Sequence, residues 1–190
     1  MTELAILLPL AAFVGIAVLL GIILRRAGRI VARTRELDGF RAATADLVAR
    51  IDTSLEGAAS RIDAVRRGQA GPETIGATIG AATDAVDRYA DEARGLNGPP
   101  TAIELRDALV DELERAGRAL AMVGHGADIQ TRVRRRGREV EAQTSIKRGY
   151  LNLLHAREAI DRLGRQATSL DAGTDGVSPT DGIGAHEPPS

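Results

Sequence analysis

Residues 36–66 read ELDGFRAATADLVARIDTSLEGAASRIDAVR. Within them Leu37, Phe40, Leu47, Ile51, Leu55, Ala58, Ile62 and Val65 recur at steps of three and four, with Thr44 filling the one missing step. This spacing lines one face of an α-helix, whereas a half-buried strand would alternate with period two. A long helix that is apolar on one face must lay that face against other elements, so the stripe predicts a packed helical bundle. Gly68-Gln69-Ala70-Gly71 ends the stripe and predicts the first turn.

Upstream the chain changes character. Residues 25–35 hold Arg25, Arg26, Arg29, Arg33 and Arg35 and no acid. Before them, residues 4–24 (LAILLPLAAFVGIAVLLGIIL) carry no charge at all. About 20 apolar helical residues span a hydrocarbon core of roughly 30 Å, which predicts a transmembrane helix. Pro9 falls in its first turns, where a missing N–H costs least. A cleaved signal peptide would place basic residues ahead of a shorter apolar run; here Glu3 precedes it and the arginines follow. An arginine flank on the C-terminal side predicts a short extracytoplasmic N-terminus, residues 1–3, with the remainder in the cytoplasm. The small-residue pairs Ala11/Gly15 and Ala17/Gly21 point to different helix faces and make a weak dimerisation signal.

Downstream, Pro72 and Glu73 open a second predicted helix with the stripe Ile75, Ile79, Ala82, Val86, Tyr89 or Ala90, Ala93 and Leu96. Asn97-Gly98 offers left-handed C-cap residues, and Pro99-Pro100 prevents continuation. Thr101 with Glu104 three residues later has the form of a capping box for a third helix. Its stripe is Leu105, Leu109, Leu113, Ala116, Leu120 and Val123. Gly124-His125-Gly126 then costs about 2 kcal/mol of helix propensity, and a turn is predicted there. A fourth helix from Ala127 to Leu170 carries Ala142, Ile146, Gly149, Leu153, Ala156, Ile160, Leu163, Ala167 and Leu170 in coiled-coil-like steps.

The expected architecture is all-α: an N-terminal transmembrane helix, then an elongated antiparallel up-down bundle over residues 36–170. Four helices are preferred, with helices one and four long and two and three short; three helices, one of them long and kinked, are the alternative. Helices two and three are rich in acid and helices one and four in arginine, which favours one arrangement over others. Residues 171–190, DAGTDGVSPTDGIGAHEPPS, have four acids, no base and no apolar period, and are expected to be disordered.

Composition narrows the chemistry. With 2% aromatic residues, burial must rest on Leu, Ile, Val and Ala. The absence of cysteine excludes disulfides, thiolate nucleophiles and sulfur-ligated metals. Lys147 is the sole lysine beside many arginines, read here as the codon bias of a GC-rich bacterial genome. No phosphate loop, nucleophile elbow or zinc-protease motif occurs, so neither catalysis nor a cofactor is expected. His155 and Glu158 share a helix face, but a di-iron bundle uses Glu-x-x-His twice, and here the order is reversed and single.

Two arginine groups remain as candidate contacts. Arg25, Arg26, Arg29, Arg33 and Arg35 flank the membrane and should meet anionic headgroups. Arg132, Arg134, Arg135, Arg136 and Arg138 form a denser group that suits an anionic lipid or protein, or simply a solvated face. Nucleic acid is disfavoured, because stacking aromatics are missing apart from Tyr150. The expected function is a single-pass, plasma-membrane-anchored interaction module, a scaffold or adaptor, with the lipid bilayer and a protein partner or further copies of itself as its contacts. The alternative is a ligand- or signal-responsive bundle with Gly124-His125-Gly126 as hinge.

Overall fold

The computed structural model describes residues 2–132 and 138–170; within the first helix, the side chains of residues 2–18, 23–24 and 26–31 are not described. Four long helices form a packed bundle, and no strand occurs among the described residues. They are α1 (Thr2–Arg66), α2 (Gly76–Arg94), α3 (Ile103–Arg132) and α4 (Glu139–Ser169). Two short 3-10 turns, Pro72–Thr74 and Pro100–Ala102, lead into α2 and α3.

The α1 stripe is buried along its length. Leu37, Phe40, Thr44, Leu47, Ile51, Leu55, Ala58, Ile62 and Val65 all lie in the interior, with Thr44 the one polar residue among them. The stripes expected on α2 and α3 are buried too, apart from the partly buried Tyr89 and Leu96. On α4, Gly164 is buried while Leu163 and Leu170 sit at the margin.

Each helix packs on two neighbours in a closed square, α1–α2–α3–α4 and back to α1. All four contacts are antiparallel. Along α1 and α2, Arg50 meets Glu92 and Ser54 meets Tyr89. Along α2 and α3, a Cβ at Gly117 would touch Val86, and one at Gly124 would touch Ile79. Ser145 of α4 donates to the Met122 carbonyl of α3 over 2.9 Å, and Arg157 of α4 reaches Asp52 of α1. The bundle therefore has an Arg66 end, holding the α1–α2 turn and the α3–α4 connection. Its opposite, Phe40 end holds the α2–α3 connection, Leu170 and the point where α1 enters.

The expected turn at Gly124-His125-Gly126 does not form, and α3 runs through it as one helix of 30 residues. Tertiary packing outweighs the propensity cost. Gly126 is buried, and a Cβ there would lie 2.8 Å from the Ala142 carbonyl oxygen and 2.8 Å from Ile146. Gly149 faces α3 in the same way, its missing Cβ 2.8 Å from the Ala119 carbonyl oxygen and 3.0 Å from the Val123 nitrogen. These glycines bring two backbones together. The length matching changes accordingly: α3 (30 residues) pairs with α4 (31 residues), and α2 (19 residues) is the short helix.

Two helix-end expectations are also corrected. Pro99, not Thr101, takes the N-cap place ahead of α3, because Thr101 is drawn into the 3-10 turn, and no side chain caps that turn. Asn97 and Gly98 are not left-handed; α2 ends on Gly95, whose N–H bonds the Asp91 and Glu92 carbonyls. Gly98 serves the core instead, since a Cβ there would lie 2.8 Å from the Phe40 ring. The left-handed glycine is Gly68 (φ 73°) at the end of α1. There the Gln69 N–H bonds the Ala64 carbonyl and the Gly68 N–H bonds that of Val65, a Schellman closure.

Among the described residues no helix is long and apolar enough to cross a membrane. The backbone of the uncharged stretch 4–24 is helical as part of α1, but most of its side chains are not described. The expected disordered segment, 171–190, lies outside them altogether.

Alanine at these glycines separates their roles. Gly80, in α2 with nothing within 4 Å of a Cβ, should gain stability on Gly80→Ala, by up to about 1 kcal/mol. Gly126→Ala and Gly149→Ala should lose on the order of 1–2 kcal/mol, because overpacking against backbone exceeds the propensity gain. Thermal unfolding of the full chain in detergent, followed by circular dichroism, checks both signs.

Candidate functional sites at the two ends of the bundle

At the Phe40 end, a small apolar cluster of Phe40, Ala102, Leu105 and Ala167 closes the bundle. Arg41 lies over it. One terminal nitrogen donates to Asp38 over 3.0 Å and the other to the carbonyl of Leu170, while Nε is buried without a partner. Beyond this cluster α1 leaves the bundle. Arg25, Arg33 and Arg35 are exposed on that stretch, and the side chains of Arg26 and Arg29 lie outside the described residues. Leu19, Leu20 and Ile22 are exposed as well, at 59%, 52% and 59% of their full surface.

At the Arg66 end, Arg132 closes α3 and Arg138 precedes α4; Arg134, Arg135 and Arg136 fall in the connection outside the described residues. The expected start of a fourth helix at Ala127 is thus corrected: α3 continues past Gly126 to Arg132, and α4 begins at Glu139. Arg132 pairs with Asp128 at 3.1 Å and Arg138 with Glu141 at 3.0 Å, both on exposed, local salt bridges. The Arg138 guanidinium holds the Glu141 carboxyl below the usual range.

Sequence reasoning passed over a second feature of this end. Val65, Arg66, Gly68, Gln130, Gln143, Ile146 and Lys147 line a small cleft where α1, α3 and α4 converge. Its arginine is not idle. Arg66 donates two bonds to Asp63 (3.0 and 2.7 Å) and lies 5.3 Å from the centre of the Tyr150 ring; Arg67 grips the other Asp63 oxygen. The signal was legible as an aspartate followed by arginines three and four residues later.

Charge pairing between helices departs from the expected partition. Arg50 of α1 does bridge Glu92 of α2, and it lies 5.7 Å from the Tyr89 ring centre. Yet Arg157 of α4, with 17% of its side chain exposed, pairs with acids of α1: Asp52 and Glu56, each at 2.6 Å. Burial opposes the charge on Arg157, but the two carboxylates prevail and its pKa is raised. Arg94 of α2 bridges Glu114 of α3 at 2.8 Å. The helix-by-helix tally failed because each helix carries both signs on its flanks.

His155 and Glu158 are both exposed on α4, and His125 is exposed on α3. Among the described residues no group of three or more His, Asp or Glu side chains is placed to hold a metal ion.

Asp63 gives this region its pH signature. The hydrogen bonds from Arg66, and then those from Arg67, hold its carboxyl below the usual range against the opposing effect of burial. A carboxyl depressed in the folded state stabilises above its unfolded pKa of about 3.9, and that contribution is lost as pH falls through the lower folded value. Asp63→Asn should therefore lower stability at neutral pH and flatten the loss below about pH 4. Urea unfolding across pH 2–7 checks it, and parallel pH profiles of the two chains would count against the assignment.

No protein-family model matches this chain, and neither a curated protein nor a solved structure is significantly similar to it.

Proposed function

We propose that this chain is a single-pass membrane-anchored helical bundle acting as an interaction module, a scaffold or adaptor, at the plasma membrane. The observation that carries the reading is the division of α1. The helix is unbroken from Thr2 to Arg66, yet among its described side chains a buried face begins only at Leu37. The preceding part is about 50 Å long at 1.5 Å per residue, and every described side chain in it is exposed. Leu19, Leu20 and Ile22 stand more than half exposed there. An apolar helix without a protein partner finds its burial in hydrocarbon, and the arginines of 25–35 fit the cytoplasmic headgroup layer. In this reading the bundle lies in the cytoplasm and residues 1–3 lie outside.

An interaction role fits the surfaces of the bundle. Between α1 and α2 a shallow furrow is walled by Gly57, Ala58, Ala77, Ala81 and Ala85. Between α1 and α4 a second is walled by Ala45, Val48, Ala49 and Gly164. Both are open, extended and without aromatic anchors, which suits multivalent contact or contact with a second copy better than one tight hot spot. The alternative is a ligand- or signal-responsive bundle, for which Gly124-His125-Gly126 offers no turn, since α3 runs through it as helix.

Two single-cysteine chains test the topology, since the native chain has no cysteine. In intact cells a membrane-impermeant maleimide should label Thr2→Cys and leave Ser178→Cys unlabelled until the membrane is permeabilised. The full chain should stay in the membrane pellet after alkaline extraction, and a chain starting at residue 36 should not. Equal labelling of both sites, or release of the full chain by alkali, would overturn the anchor. A bundle that stays strictly monomeric in native membranes and crosslinks to no stoichiometric partner would overturn the interaction role.

A further inference from the structure

We propose that the acidic C-terminal segment, residues 171–190, docks on the arginine segment 25–35 of its own chain and competes there with anionic lipid headgroups. The fold brings Leu170, which directly precedes the acidic segment, beside Arg41, six residues past Arg35. α4 ends at Ser169, and the carbonyl of the next residue, Leu170, accepts a hydrogen bond from Arg41 of α1. The chain therefore departs from the Phe40 end of the bundle, the same end at which α1 leaves towards Arg35, Arg33 and Arg25. Had α4 run the other way, the segment would start beside Arg66, at the far end of the bundle.

Charge and reach agree with the placement. Residues 171–190 contain Asp171, Asp175, Asp181 and Glu187 and no lysine or arginine. Residues 25–35 contain five arginines and no acid, and Arg25, Arg33 and Arg35 are exposed. Ala27 lies 14 residues before Arg41, about 21 Å along a helix axis. Ser178 lies 8 residues beyond Leu170, a span of up to about 26 Å when extended. A tether this short holds the acids near the arginines at an effective concentration in the millimolar range, so weak exposed pairs add up without a preformed pocket. The same arginines are the ones an anionic leaflet attracts. Lipid and tail cannot both neutralise them.

The pairing stands on the bundle alone, whereas the competition with lipid rests on the membrane-anchor reading above. Spin labels at Ala27→Cys and Ser178→Cys, in the otherwise cysteine-free full chain, report the contact by pulsed dipolar spectroscopy. In phosphatidylcholine nanodiscs at low salt the labels should lie closer, by on the order of 10 Å, than the roughly 26 Å that a random-coil reference of the same length would give. The distance should relax to the free value when Asp171, Asp175 and Asp181 are changed to Asn and Glu187 to Gln. It should relax also in 1 M salt, where screening acts over about 3 Å. Phosphatidylglycerol discs should lengthen it for the unmodified tail. Superimposable distances for the acidic and neutralised tails in neutral discs would overturn the docking. Short distances persisting in anionic discs would overturn the competition. A chain that does not enter discs at all would count against the anchor instead, and the same label pair in neutral detergent would still decide the docking.

Discussion

The bundle depends on a contact in which two backbones meet. At Gly126 the α3 main chain presses on the Ala142 carbonyl and Ile146 of α4, and at Gly149 the α4 main chain presses on Ala119 and Val123 of α3. With aromatic residues at 2% of the chain, few side chains are large enough to fill a wide interior. Bringing helices close is the other way to reach native packing density. The residues that do fill the remaining space, Leu109, Leu113, Leu120, Leu153 and Ile160, are fully buried around the close-packed pair. The α3–α4 pair thus forms a tight half of the square, against which α1 and the shorter α2 complete the core.

Periodicity made much of this legible. The α1 stripe survives intact because its spacing is a property of the helix itself, and no neighbour needs to be known to read it. The misreadings share one cause. Gly124-Gly126 and Asn97-Gly98 were read for what glycine does to its own backbone, and the structure uses Gly126 and Gly98 for what they leave open to another helix: the α4 backbone and the Phe40 ring. Glycine's local cost is visible in one dimension, while its tertiary use requires knowing what lies opposite. Thr101 failed as a cap for a related reason, since the preceding prolines set the entry into α3 before a side chain could.

The candidate sites were legible to a different degree. Arginine density is countable, and the described members, Arg25, Arg33 and Arg35 in one group and Arg132 and Arg138 in the other, are exposed. Which end each occupies depends on where helices turn: α3 continues past Gly126 to Arg132, and Arg138 takes the N-cap place of α4. The pairing of Arg157 with Asp52 and Glu56 spans more than a hundred positions of sequence and leaves no local trace. A partly buried guanidinium that meets two carboxylates of one helix favours this register of α4 along α1.

The continuity of α1 has a mechanical meaning. A helix without a break from Thr2 to Arg66 has no joint at which its two parts turn independently. Once the face bearing Leu37, Phe40, Leu47 and Ile51 is seated in the bundle, the helix sets the direction of the described upstream residues, Leu19, Leu20 and Ile22 among them, in steps of about 100° and 1.5 Å. The bundle and the apolar segment therefore share one phase. Inserting or deleting one residue between Ile22 and Leu37 would turn one part by about 100° against the other.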